Sequence, residues 1–343
     1  MAPSQSAQKH TPPRSVPGRH ESRSLQLRAP RAHHRLHLSE LLLVDERLDE
    51  TIPFQSVDEI LASRRDGDLF QYLVERFAAF SGVSGVQPKL LVRDEQTVAV
   101  AGLHDRSSIK GATHIVKFWE REFPELAANE YFCLRAAERC GLELPRFRLS
   151  EDGRALVIDR FDLRADGRYR GFEDFCVLNA RSTADKYRGS YETSVLKRFR
   201  DFASADAVAS GSERLLTLIA INCMLRNGDA HLKNFGVLYD DMDGPVRLAP
   251  VYDIVTTTAY LPADTMALTL NGSTRWPTRA QLQAFGETRQ VGTPAAIRAM
   301  LERIETAMAE TIAEIEAYAK VHRGFAEGGK RMICAWHEGL AKT

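Results

Sequence analysis

The chain has 343 residues, 44% of them hydrophobic and 27% charged, enough for one large globular unit or two lobes sharing a core. That composition excludes a disordered polymer, a collagen-like fibre and a disulfide-dense mini-domain. Lys plus Arg and Asp plus Glu are each 46, so no global field favours nucleic acid or a membrane surface.

No apolar run reaches the roughly 18 residues that a membrane helix needs. The five Cys form no CxxC pair, and Cys133 and Cys140 fall on an apolar helical stretch, as expected of packing residues in a reducing compartment. A cytoplasmic protein without membrane contact is the expectation.

Charge is unevenly spread. Residues 1–39 hold seven Lys/Arg against one acid, with five of the ten His and five of the fourteen Pro. Such a segment buries too little apolar surface to fold alone. It reads as a disordered basic tail or an over-extended translation start, with a transit peptide or a polyanion-binding arm as alternatives. The rest of the chain, with 39 basic and 45 acidic residues, is mildly acidic.

Folding is expected to begin near Leu38. Ser56 caps a predicted helix running through Ile60, Leu61, Leu69, Tyr72, Leu73 and Phe77 at three-to-four spacing. A Gly-rich turn, Ser81 to Pro88, precedes β-like runs at Lys89–Val92, Thr97–Ala101 and Thr113–Phe118. Glu125 to Cys140 reads as a helix stopped by Gly141, and Arg154–Phe161 as a buried strand. Ser212 or Gly211 opens a second predicted helix, which ends in Arg226-Asn227-Gly228-Asp229. A hairpin of Phe235–Tyr239 and Val246–Leu248 follows. Thr293-Pro294 starts a long helix with the stripe Ile297, Leu301, Ile304, Met308, Ile312 and Ile315. The predicted architecture is α+β and two-lobed: a β-rich lobe over 40–161, a helical lobe over 162–343, and a cleft between.

The segment Asn227 to Gly236 carries the most chemistry. Asp229 and Asn234 stand five apart in a loop between a buried helix and a hairpin, the spacing of kinase catalytic loops. There the Asp orients the acceptor hydroxyl and the Asn reaches a magnesium ion, whose hardness suits oxygen ligands. Asp253 lies where a second metal-binding Asp is expected. The plain alternative is that these are turn residues. In the first lobe, the Gly-rich turn offers N–H groups to phosphates, or is a simple hairpin. Lys117 ends an apolar strand and points at the phosphates, or snorkels to water. Glu130 pairs with Lys117 or lies on a solvated helical face, and Asp159-Arg160-Phe161 marks a hinge, or Arg160 and Asp162 form a structural ion pair. The order of these parts is that of a protein-kinase-like machine.

The residues also resemble a known family, the HipA-like serine/threonine kinases of bacterial toxin–antitoxin systems. The resemblance rests on Ser84-Gly85-Val86-Gln87-Pro88-Lys89, Thr113–Phe118, Asn129–Leu134, Gly141–Pro145 and Asp159-Arg160-Phe161-Asp162. It extends to Glu173–Cys176, Lys186-Tyr187, Gly228–Phe235 and Pro250-Val251-Tyr252-Asp253-Ile254, and so covers about residues 80–260. The layout is closest to the short HipT-type members, whose antitoxin is a separate protein.

The resemblance implies Asp229 as the catalytic residue and Asn234 and Asp253 as Mg²⁺ ligands. It implies ATP contacts from Ser84, Gly85, Val86, Gln87, Pro88, Lys89, Lys117, Asp159, Arg160, Phe161, His231 and Tyr252, with Glu130 pairing to Lys117. Autophosphorylation is implied at Ser84, although short relatives carry Ser-Ile-Ser where this chain reads Gly82-Val83-Ser84. Aminoacyl-tRNA synthetases are the implied substrate class, a helix-turn-helix antitoxin the implied partner, and DNA contact only indirect.

Two rivals stand beside this. A kinase-like small-molecule phosphotransferase uses the same Asp-x4-Asn spacing, though its loop reads His-Gly-Asp where this one reads Asn227-Gly228-Asp229. A non-catalytic nucleotide-binding module is opposed by the presence of Lys117, Asp229, Asn234 and Asp253 together.

Overall fold

A computed structural model describes residues 55–62, 72–73, 89–94, 113–118, 123–164 and 167–341. All of these fall in one compact unit, Glu50–Thr343, of mixed α+β structure. Short helix α1 (Val57–Leu61) begins where Ser56 accepts a hydrogen bond from the Glu59 amide. The remainder of the helix expected to reach Phe77 lies outside the described residues, apart from Tyr72 and Leu73. So do the run Thr97–Ala101 and the whole Gly-rich turn, Ser81 to Pro88.

Four antiparallel strands form the first sheet: β1 (Lys89–Val92), β2 (His114–Phe118), β3 (Phe147–Leu149) and β4 (Ala155–Asp159), in spatial order β1-β2-β4-β3. Side chains alternate faces along a strand, and the two faces serve different cores. Val116, Phe118, Ala155 and Val157 pack against Val57, Ile60, Leu73, Leu90 and Val92. Leu156 and Ile158 face the main core with Phe132 and Cys133. Register places Lys117 opposite Leu156, so the strand's period sends this lysine to the main-core side, away from Val116 and Phe118.

That side is covered by α2 (Leu126–Arg139), whose buried Ala127, Ala128, Ala136 and Ala137 allow close approach. The second sheet comprises β5 (Gly171–Asp174), β6 (Gly236–Tyr239) and β7 (Arg247–Leu248). Short α3 (Phe175–Leu178) follows β5, and a π-helical turn, Tyr191–Lys197, leads into α4 (Arg198–Phe202).

Helix α5 (Val208–Met224) runs through the centre of the main core. It starts before the expected Gly211–Ser212. Gly211 is there for proximity and not as a start signal: a Cβ at this position would lie 2.2 Å from the Phe199 ring.

Helices α6 (Arg279–Thr288), α7 (Pro294–Val321) and α8 (Ala326–Ala341) complete the helical part. Helix α7 begins as its sequence demands, with Thr293 accepting from the Ala296 amide and Pro294 in the first turn. Its stripe is buried at Ile297, Leu301, Ile304, Met308 and Ile315, while Ile312 is partly covered. Helices α6 and α8 were not anticipated. The start of α6 carries a readable capping box between Thr278 and Gln281.

An ion-pair cluster ties α2 to α7. Arg139 Nη1 donates to Glu314 Oε2 at 3.0 Å, Arg139 Nη2 to its other oxygen, and Arg135 Nη2 reaches the same oxygen at 3.3 Å. The Arg139 hydrogen bond leads in holding the Glu314 carboxyl down, at about 2. A depressed acid stabilises the fold above its unfolded value and ceases to do so as pH falls through its folded one. The side chain is about one third exposed, so the contribution is screened to about 1 kcal/mol or less. Glu314→Gln should therefore be slightly less stable than wild type at pH 7 in urea unfolding. The gap should close as pH falls from about 4.3 towards 2.

Candidate active site

Helix α5 ends against a chain reversal. Arg226 adopts a left-handed backbone, φ 59°, and the Asn227 amide donates back to Asn222 O at 2.9 Å. A non-Gly residue there costs about 1 kcal/mol, and its side chain is tied down accordingly. Arg226 Nη2 donates to Glu338 O at 2.7 Å, and its guanidinium lies 5.1 Å from the Trp276 ring centroid. Asn227 Nδ2 donates to Asn222 Oδ1 at 2.6 Å, while Asn227 Oδ1 accepts from the Asp229 amide at 3.1 Å. The Gly228 amide donates to Thr257 Oγ1 at 2.8 Å. Gly228 has no room for a side chain, since a Cβ would stand 2.1 Å from the Asp264 carboxylate and 2.6 Å from Thr265 O. Asp229 thus leaves a fixed loop with its side chain 40% exposed.

The Asp253 segment lies opposite. Asp253 itself has φ 61°, and its backbone carbonyl accepts from Asn234 Nδ2 at 3.2 Å. Three residues on, Thr256 is clamped to α2: its amide donates to Asn129 Oδ1 at 2.8 Å and its carbonyl accepts from Asn129 Nδ2 at 3.2 Å. Trp336 Nε1 donates to Thr256 Oγ1 at 2.7 Å.

The adjacent residue on α2 is Glu130, fully buried. Lys117 Nζ donates to Glu130 Oε1 at 2.5 Å and to Asp253 Oδ1 at 2.7 Å. Lys89 Nζ stands 3.8 Å from Asp253 Oδ2. The lysine does not snorkel, and the glutamate is not on a solvated face.

Charge states follow from this burial. Burial disfavours the Lys117 ammonium, but the Asp253 and Glu130 carboxylates outweigh it and raise the amine above its ordinary value. Burial opposes the Asp253 carboxylate too, yet Lys117 and Lys89 pull it far below the usual carboxylate range. Glu130 goes the other way: burial, with the Asp253 charge adding to it, raises it despite Lys117. His231 is lowered by burial in spite of Asp229 nearby.

Other expected site residues fall around this centre with differing partners. Phe161, Phe172 and Tyr252 form an aromatic trio with centroids 5.6 to 5.9 Å apart. Tyr252 OH donates to Lys233 O at 2.7 Å, and Lys233 Nζ meets Asp174 Oδ2 at 2.5 Å, which joins β5 to the catalytic-type loop. Asp159 lies 3.2 Å from buried His114 Nε2. Arg160 forms a two-pronged pair with Asp162, at 2.9 and 2.5 Å, the structural arrangement. Ser84, Gly85, Val86, Gln87 and Pro88 lie outside the described residues.

The sequence reading did not single out Asn129, Thr256, Thr257 or Trp336 for the work they do here. An Asn inside an alanine-rich helix was the available signal for the first.

Among the described residues, two buried oxygens and one ring nitrogen, Glu130 Oε2, Asn234 Oδ1 and His231 Nδ1, find no hydrogen-bond partner. Asn234 Oδ1 is an unpaired oxygen on a side chain bonded to the backbone of Asp253, whose carboxylate is strongly ionised, a donor set that suits a hard divalent cation. Among the described residues no group of three or more His, Cys, Asp or Glu side chains forms a metal centre. A cation here would thus depend on substrate oxygens and water for its remaining ligands.

Removing the shared cation isolates the two carboxylates. Lys117→Met should lose about 3 to 5 kcal/mol of stability in urea unfolding at pH 7. Adding Glu130→Gln should recover part of it, because Asp253, which keeps Lys89 at 3.8 Å, is then the one carboxylate of the pair left charged.

With this geometry in hand, the chain can be set beside known proteins. Residues 81–314 match the family described as HipA-like C-terminal domain. "Putative kinase Y4mE" of Sinorhizobium fredii is 30% identical over 250 residues, 69% of this chain and 56% of its own length. A "Putative kinase" of Haemophilus influenzae is 29% identical over 196 residues, 52% of this chain and 53% of its own. The chain therefore spans about half the length of the curated relatives it matches. Among solved structures, the Shewanella oneidensis HipA, HipB and operator DNA complex aligns with TM-score 0.55 and 22% identity, covering 76% of this chain and 65% of that one. At that identity the likeness speaks for the fold. The sequence resemblance and the family match, which takes in Lys117, Glu130, the Asp229–Asn234 loop and Asp253, coincide: the chain belongs to the HipA-like C-terminal domain family.

Proposed function

We propose that this protein is an ATP-dependent protein serine/threonine kinase. The observation that carries the proposal is the convergence of Lys117, Glu130 and Asp253 from β2, α2 and the following loop, with Asn234 bonded to Asp253 and Asp229 on the same loop. In this reading Lys117 and Lys89 meet the ATP phosphates, and Glu130 keeps Lys117 aimed. Ser84 to Pro88 would contact the phosphates, and Asp159, Phe161, His231 and Tyr252 the nucleoside, with Arg160 kept in its ion pair with Asp162. Asn234 Oδ1 and the Asp253 carboxylate would hold Mg²⁺, which when bound neutralises phosphate charge. Asp229 takes the proton of the acceptor hydroxyl, and its exposure leaves it accessible to a protein side chain. Catalysis of this kind is mostly positioning and electrostatic stabilisation.

The family supports finer parts of the proposal. The target is a translation protein of the aminoacyl-tRNA synthetase class, and Ser84 is the autophosphorylation site. A phosphate there adds about −1.5 to −2 charges and repels ATP. The Shewanella neighbour was solved with HipB and operator DNA, which supports a toxin role with an antitoxin partner and DNA contact through that partner. No described helix is long and apolar enough to cross a membrane.

Radiolabelled ATP with Mg²⁺ and a bacterial lysate tests this. Wild type should label itself and one discrete acceptor, and Asp229→Ala should label neither while unfolding normally. Undiminished transfer by the variant would remove Asp229 from the mechanism. Transfer only to small acceptors would favour the small-molecule phosphotransferase.

A further inference from the structure

Lys186-Tyr187 lies just after the short 3-10 turn Thr183–Asp185. It is fastened to the loop that bears Asp229: the Leu232 amide donates to Lys186 O at 3.1 Å. The Tyr187 ring meets His231 edge-on, centroids 5.1 Å apart and planes at 74°. Lys186 Nζ lies 4.9 Å from the centroid of the same ring. Though 49% exposed, the Tyr187 ring therefore has two neighbours, and the backbone just before it is tied to the Asp229 loop. Its hydroxyl donates to Asp229 Oδ1 at 2.6 Å, a length typical of a charge-assisted bond. His231 Nε2 is 3.7 Å from that same oxygen. Among the described residues no hydrogen bond or ion pair reaches Oδ2.

We propose that Tyr187 is a positioning residue for phosphoryl transfer: its hydroxyl anchors Asp229 Oδ1 so that Oδ2 is the oxygen offered to the acceptor. This rests on the kinase reading above. In the step it supports, the acceptor oxygen bonds to the γ-phosphorus while the bridging P–O bond breaks and ADP leaves. The acceptor proton passes to the Asp229 carboxylate, and Tyr187 neither gains nor loses a group. A carboxylate free to rotate would present its oxygens in many directions, and misplacement on the scale of 1 Å costs about a hundredfold in rate. The backbone bond at the preceding Lys186 and the ring contact with His231 mark Tyr187 as a fixed support and not a mobile competitor for the acceptor site.

Tyr187→Phe keeps the ring and removes only the hydroxyl. Label transfer by this variant should fall about tenfold to a hundredfold in kcat, with KM for ATP and the unfolding midpoint unchanged. An unchanged kcat overturns the proposal, and so does a raised one, which would make Tyr187 a competitor for the acceptor site. A loss matched by a rise in KM for ATP assigns the residue to nucleotide binding instead. Absence of transfer by wild type overturns the kinase reading and this proposal together. Transfer by wild type that Tyr187→Phe equals overturns this proposal alone.

Discussion

One buried cation organises the molecule. Lys117 can be dry only because Glu130 and Asp253 supply its counter-charge, and each of them arrives on a different element. The strand, the helix and the loop after the second sheet must therefore be assembled before any of the three charges is paired. Burying charge is unfavourable unless geometry is good and further bonds are made. The fold meets that condition by stiffening what surrounds the triad. Asn129, next to Glu130, grips the backbone of Thr256, three residues past Asp253, and Trp336 of α8 holds the same threonine from the far side. The two acids are thus set by one short chain of hydrogen bonds and do not drift independently.

The loop of Asp229 is built on a different plan. It carries its acid outward on a backbone stiffened by Arg226, Asn227 and Gly228, each meeting its own partner. One half of the site is buried and charge-paired; the other is half exposed and hydrogen-bonded. Kinase-type chemistry asks for this division, since the nucleotide phosphates need concentrated charge and the acceptor needs access.

Much of this was legible in the chain. The alternation Ile115-Val116-Lys117-Phe118 put the lysine on one face of a strand, and the five-residue interval from Asp229 to Asn234 named the loop. The α+β architecture and the long helix from Pro294 followed from periodicity and caps. What was not legible depended on contacts between residues far apart in sequence. Asn129 to Thr256 spans 127 positions, and no local pattern encodes that pairing. The start of α5 was misplaced because Gly211 answers to the Phe199 ring and not to helix initiation. Arg160 looked equally suited to a hinge contact or an ion pair with Asp162, and its geometry is the ion pair.

The register of the first sheet carries one more consequence. Lys89 and Lys117 sit directly across from each other on β1 and β2, a like-charge pair that sheets ordinarily avoid. Asp253 lies between their ammoniums and cancels much of the repulsion. It therefore serves as an internal counter-ion as well as a candidate metal ligand. A neutral residue in its place would leave Lys89 without this counter-charge and Lys117 with Glu130 alone. Such a protein would take up polyphosphates more readily in the absence of metal, even with the metal-dependent step disabled. If the proposed kinase reading holds, nucleotide affinity and turnover are opposed quantities at this site, and the acid that limits the first is the one the second requires.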